Sequence, residues 1–154
     1  MSTTLGIIAG FYGPVWNWQE RQQLVRTLAP HGYGFYLYAP KADVFLRRRW
    51  QEPHPPEMAS ELAEFGRFCR LQGLRFGIGL SPFEIFNRFD DAARAALAAK
   101  LEMLDRIGID ELAILFDDMR AETPVLAEIQ ADIMHWIRER TQARYLSVCP
   151  SYYS

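Results

Sequence analysis

The sequence predicts an α/β protein, and within that class a TIM (β/α)8 barrel, of which the chain supplies about the first four βα units and strand five. Three observations carry this prediction. Short apolar runs alternate with amphipathic helix patterns, which calls for a parallel sheet with right-handed crossovers. Three of the helix patterns close on a glycine just before the next strand, at Gly32, Gly73 and Gly108, the left-handed stop that turns a chain back on itself. Each repeat spends roughly 35 residues, close to the spacing of a barrel that uses about 250 for eight units. The first strand-to-helix turn, Gly10-Phe11-Tyr12-Gly13, also lacks the GxGxxG spacing of a doubly wound dinucleotide fold.

Taken in order, Leu5-Gly6-Ile7-Ile8-Ala9 reads as a short apolar strand followed by a loop rich in turn residues. Residues 18–28 place Leu24, Val25 and Leu28 on one helix face, and the pattern ends at Pro30-His31-Gly32. Residues 35–38 form the second strand, and a long loop punctuated by proline follows to Pro56. The second helix, 57–72, carries the stripe Met58, Leu62, Phe65, Cys69 and Gln72. Strand three is 76–80, and helix three runs from Asp90 to Ile107 with Leu97, Leu101, Met103 and Leu104 as core. Strand four is 112–116, helix four 124–141 and strand five 145–148. Thr123-Pro124 reads as the start signal of helix four, with Thr as N-cap and Pro in the first helical position.

Composition narrows the function. The chain has 154 residues, 49% hydrophobic and 23% charged, which is ordinary for one soluble globular domain. A net charge of -2 gives no field that favours nucleic acid or an anionic membrane. The basic cluster Arg47-Arg48-Arg49 reads as a solvated or ion-paired loop. His31, His54 and His135 show no ligand spacing and read as loop or helix-surface residues; Cys69 and Cys149 form no CxxC and read as reduced thiols. No metal or cofactor is expected. No run reaches transmembrane length, and the short apolar stretch near the N-terminus has no Lys or Arg before it, so the expected location is the cytoplasm.

Asp117 and Asp118 stand out because they follow the apolar run Leu112-Ala113-Ile114-Leu115-Phe116. Carboxylates beside a buried strand are costly unless paired or used for chemistry, and catalytic side chains of a barrel gather at the C-terminal ends of its strands. The chain supplies its own contrast in Asp90-Asp91, which opens an Ala-rich helix and needs no reading beyond N-cap and first-turn acid.

The loops after the strands then fall into a pattern. Gly10-Phe11-Tyr12-Gly13-Pro14-Val15-Trp16 resembles the motif Gly-Phe-Tyr-Gly-Arg-Pro-Trp, and Tyr36-Leu37-Tyr38-Ala39-Pro40-Lys41-Ala42-Asp43 resembles Tyr-Leu-Tyr-Ala-Pro-Lys-Asp-Asp. Trp50-Gln51-Glu52-Pro53-His54-Pro55 is similar to Trp-Arg-Glu-Pro-Tyr-Pro, Phe116-Asp117-Asp118 to Phe-Asp-Asp, and Cys149-Pro150-Ser151-Tyr152-Tyr153 to Cys-Pro-Thr-x-Tyr. In this order and spacing the motifs resemble the family 84 glycoside hydrolases, the O-GlcNAcase, bacterial β-N-acetylglucosaminidase and hyaluronidase-like group. The resemblance implies that Asp117 binds the N–H of the substrate's 2-acetamido group and that Asp118 is general acid and then base. It implies that Gly10 and Lys41 contact sugar hydroxyls, with Phe11 and Tyr12 in the same substrate-binding set, and that Tyr153 sits near the acetamido group and anomeric centre. Departures from the family pattern are Pro14-Val15 for Arg-Pro, Ala42 for Asp, and Phe83 after Ser81-Pro82 where Gly is frequent. The binding residues of the family's later strands have no counterpart in these residues. Without the resemblance, Lys41 is an ordinary exposed lysine, Tyr12, Trp16 and Tyr153 are packing aromatics, and Gly10 and Gly13 are turn glycines.

The chemistry of the residues agrees. A retaining glycosidase with a protein nucleophile holds carboxyl groups about 5 Å apart across the scissile bond. Sequence neighbours, with Cα atoms about 3.8 Å apart, approach opposite faces awkwardly. If the sugar's own acetamide oxygen is the nucleophile, that difficulty disappears. The expected function is therefore a retaining β-N-acetylglucosaminidase that works by substrate assistance through an oxazoline intermediate, with a GlcNAc-bearing glycan or glycoprotein as substrate. The competing expectations are a non-catalytic sugar-binding or inert barrel fragment, and another barrel hydrolase with a similar Asp pair. Half a barrel leaves its border strands unpaired, so the residues are expected to belong to a polypeptide of roughly 250 to 350 residues, and to self-associate without hydrolase activity if isolated.

Overall fold

The computed structural model describes residues 4–117, 119 and 123–152. Five parallel strands, β1 (Leu5–Ala9), β2 (Tyr33–Tyr38), β3 (Arg75–Leu80), β4 (Glu111–Leu115) and β5 (Tyr145–Cys149), lie side by side in chain order. Between them run α1 (Trp18–Leu28), α2 (Pro56–Leu71), α3 (Asp91–Ile107) and α4 (Leu126–Arg138). The sheet is curled, with the helices on its outer face, and forms the first half of a (β/α)8 barrel.

Alternation along each strand sends one set of side chains outward to the helices. Tyr36, Phe76, Ile78, Leu112, Ile114 and Phe116 are fully buried there against Val25, Leu62, Phe65, Leu97, Leu104, Ile133 and Ile137. Phe65 is the centre of this layer, edge-on to Tyr36 at 5.0 Å and to Phe76 at 5.7 Å. Gly66 lets α2 settle that deeply, since a Cβ there would lie 2.6 Å from the Phe76 ring. The inner face uses small residues on β3, Gly77 and Gly79, as a tightly curled strand requires.

The glycine stops behave as expected: Gly32, Gly73 and Gly108 have φ of 81°, 82° and 85°. Other expectations need correction. β2 begins two residues earlier, at Tyr33. On α2 the buried stripe is Leu62, Phe65, Gly66 and Cys69, while Gln72 lies past the helix end and is exposed. Thr123 does not cap α4. Pro124 and Val125 form a turn in which the Thr123 carbonyl accepts from Leu126 N–H at 3.4 Å, and the helix starts at Leu126 with no side-chain cap. His54 lies in a loop, as read, but is buried rather than solvated.

Candidate active site

The site forms where β2 and β4 end. Gly79 of β3 lies between them: a Cβ there would come 2.6 Å from the Ala39 Cβ and 2.9 Å from Leu115 Cδ1. The missing side chain lets the two flanking strands lean together. Two residues beyond Ala39 and Leu115 come Lys41 and Asp117, from strands that are not neighbours in the sheet. Lys41 Nζ donates to Asp117 Oδ2 at 3.3 Å. The lysine side chain is 9% exposed and the carboxylate 31%, so an enclosed cation holds an acid that is open to the barrel mouth.

Asp117 inherits its place from Phe116. That ring is buried on the helix side against Phe86, at 6.4 Å between centroids. The Phe116 N–H donates to the Cys149 carbonyl at 2.8 Å. Its carbonyl accepts from the Ser151 hydroxyl at 2.8 Å, and Ser151 in turn accepts from the Gln130 side-chain amide at 2.8 Å. The ends of β4 and β5 and the helix α4 are thus tied at the residue before the acid.

The loop after β1 supplies the aromatic wall. Phe11 packs on Trp16 at 4.7 Å between centroids, and Lys41 Nζ lies 5.8 Å from the centre of the Tyr12 ring. A cleft of about 160 Å³ opens between Phe11, Tyr12, Trp16, Pro40 and Lys41. Gly13, at φ 122°, is a position only glycine adopts without strain. Gly10 differs: a Cβ there would meet the Ala39 carbonyl oxygen at 3.5 Å, an ordinary contact. The fold itself leaves room beside Gly10.

Arg21 anchors this loop from α1. It is 2% exposed, donates from Nε to the Trp16 carbonyl at 3.1 Å and from a terminal nitrogen to the Tyr36 hydroxyl at 2.8 Å, and lies 4.9 Å over the Tyr38 ring. Burial pushes the phenols of Tyr36 and Tyr38 up, in Tyr38 reinforced by the nearby Asp43. Both therefore remain hydrogen-bond donors at neutral pH. Cys69, in the core behind them, is pushed up to about 12 by burial and is an inert thiol.

Of the residues singled out from sequence, Gly10, Phe11, Tyr12, Lys41 and Asp117 sit at the strand ends of this mouth. Asp118 and Tyr153 lie outside the described residues. Sequence reasoning missed Arg21, Ser151 and Gln130 as supports. Arg21 did leave a signal, because it falls on the apolar stripe of α1 one turn before Val25.

A parallel β/α half-barrel thus brings an acid, a lysine and an aromatic loop to its strand ends, the place where barrel enzymes carry their chemistry. A family model described as β-N-acetylglucosaminidase matches residues 5–154, and the chain belongs to that family. It is 32% identical over 114 residues to Protein O-GlcNAcase of Rattus norvegicus, a match that covers 74% of this chain and 12% of the relative. The same values hold for Protein O-GlcNAcase of Mus musculus. Among solved structures, an aspartate-to-asparagine mutant of the Thermobaculum terrenum O-GlcNAc hydrolase superposes with a TM-score of 0.87 at 26% identity, covering 97% of this chain and 35% of that one. The protein CpGH84B superposes with a TM-score of 0.85 at 27% identity, over 97% of this chain and 27% of that one. The chain therefore spans only about a third or less of the length of these relatives.

Proposed function

We propose that the chain forms the first half of the active-site barrel of a retaining β-N-acetylglucosaminidase, which releases β-linked GlcNAc from glycans or glycoproteins by substrate assistance. The observation that carries this reading is the Lys41–Asp117 pair at the ends of β2 and β4, in a chain of the β-N-acetylglucosaminidase family. The room beside Gly10 and the aromatic cleft next to Lys41 support a sugar at the same mouth.

In this reading the acetamide oxygen of the substrate attacks C1 while the C1–O bond to the leaving group breaks. Asp118 gives its proton to the departing oxygen. Asp117 accepts a hydrogen bond from the acetamide N–H and offsets the positive charge that grows on the oxazolinium ring. Asp118, now a base, takes a proton from water as that water attacks C1, the ring opens, and the β configuration returns. Lys41 and Gly10 contact sugar hydroxyls, Phe11 and Tyr12 belong to the same subsite, and Tyr153 takes the role that the family motif gives its tyrosine, toward the acetamido group.

The test is hydrolysis of a chromogenic β-GlcNAc by the whole protein beside the matching β-glucoside. Cleavage of the first alone is expected, and equal cleavage of both contradicts acetamide participation. A second reading is a sugar-binding barrel that keeps the Lys41–Asp117 pair at its mouth without turnover. Binding of a GlcNAc-derived thiazoline without turnover by the whole protein identifies that case.

A further inference from the structure

Lys41 sits on a turn, and the turn has an unusual anchor. The Asp43 N–H donates to the Pro40 carbonyl at 3.0 Å, which closes the four-residue turn with Lys41 at its corner. The Asp43 carboxylate does not face the mouth. It is 6% exposed and points back into the protein, where Oδ1 accepts from Phe45 N–H at 3.0 Å. Oδ2 accepts from the Tyr38 hydroxyl at 3.3 Å and lies 3.1 Å from His54 Nε2. A buried carboxylate is retained only where such partners satisfy it.

Each partner is itself fixed. Tyr38 carries Arg21 over its ring, and Arg21 holds the Trp16 carbonyl of the aromatic loop. His54 stands where the related motif has tyrosine; its backbone N–H donates to Met103 Sδ of α3 at 3.4 Å. Lys100, also from α3, donates to the carbonyls of Phe45 and Glu52 at 3.0 and 2.5 Å. Lys41 and Lys100 are the only lysines in the chain: one is at the mouth and the other braces the loop that bears it.

We propose that Asp43 is a positioning residue for Lys41. Its carboxylate, locked by Tyr38, His54 and Phe45, fixes the corner of the turn so that the ammonium group meets Asp117 without searching. The same buried chain, through Tyr38 and Arg21, sets the aromatic loop against that corner. This deepens the proposed sugar site and rests on it for its functional meaning, but the geometry it claims is testable without any sugar.

The experiment is amine labelling of the folded protein, with peptide mapping to read Lys41 and Lys100 separately. Asp43→Asn keeps the shape of the side chain and removes an acceptor; His54→Asn removes one partner of the carboxylate and leaves the others. Ile137→Val, on the buried face of α4, supplies a mild loss of stability away from the loop. Lys41 labelling is expected to rise by about two- to fivefold in both loop variants, the range that release of one partly exposed ion pair permits, and to stay at the wild-type rate in Ile137→Val. If Asp43→Asn does not fold, His54→Asn gives the same reading. Wild-type labelling of Lys41 in every loop variant that folds, or an equal rise in Ile137→Val, overturns the proposal. A wild-type protein that neither binds the thiazoline nor cleaves β-GlcNAc, yet shows the Asp43-dependent labelling, overturns the sugar-site reading alone.

Discussion

At the scale of single residues, the two neighbouring aspartates separate by the leaving group. With Asp118 as the proposed general acid, Asp118→Asn is expected to lower kcat more for poor leaving groups than for activated phenols; equal losses across a leaving-group series contradict the acid role. Asp117→Asn should damage both classes alike and weaken thiazoline binding, because the proposed role pairs it with the acetamide and not with the departing oxygen. Titration showing undiminished binding to that variant refutes the assignment. Lys100 makes a different, pH-resolved prediction. Burial lowers it from the ordinary 10.5 to about 8, partly countered by Asp43 and Glu52. Between those values the unfolded chain holds a proton that the folded chain has released, so stability rises with pH through that window. In urea unfolding from pH 7 to 9.5, wild type is expected to gain on Lys100→Met as pH rises, and a constant gap counts against it. Asp117 and Lys41 were legible because they lie in motifs at strand ends. His54 was not: its burial comes from Asp43 and α3, which no local spacing reveals. Lys100 left a trace, sitting on the same α3 stripe as Leu97, Leu101 and Leu104.

At the scale of elements, the order and type of all nine main elements were readable, because long amphipathic periods and glycine stops act locally. What failed were ends set by competition among neighbours. The Pro124–Val125 turn displaced a threonine cap, and Gly66 rather than Gln72 completed the α2 face because Phe76 needed the space. Helix α1 shows the opposite case, a start set by its own residues. Asn17 Oδ1 accepts from Glu20 N–H at 2.9 Å, and Glu20 Oε2 accepts from Asn17 N–H at 2.8 Å, a reciprocal capping box. Asn17→Ala is expected to cost about 1 kcal/mol in chemical denaturation. Because α1 begins beside the Trp16 carbonyl that Arg21 holds, the same variant should speed amide exchange in the aromatic loop more than in α3. Uniform exchange changes argue that the cap serves only global stability.

At the scale of the whole molecule, the sheet is open. Among the described residues β1 and β5 each pair on one side only, and beside β5 a groove of about 760 Å³ runs along α4, lined by Leu126, Met134, Leu146, Val148 and Pro150. Unpaired edges with apolar flanks associate. The bare 154-residue chain is therefore expected to self-associate in sedimentation analysis, and Val148→Asp to shift it toward monomer without unfolding it, since Val148 is already 48% exposed. A monomeric wild type counts against this reading of the edge.

The glycine at position 79 has a consequence for how such a site is inherited. The separation of two charges on non-adjacent strands is set by a side chain that is not there, on the strand between them. Drift at that position alters the geometry of chemistry it never touches, while the lysine and the acid stay unchanged in any alignment. A descendant that kept both charges and lost this gap would carry the motif and not the reach, so the motif alone is an incomplete record of the ancestral activity.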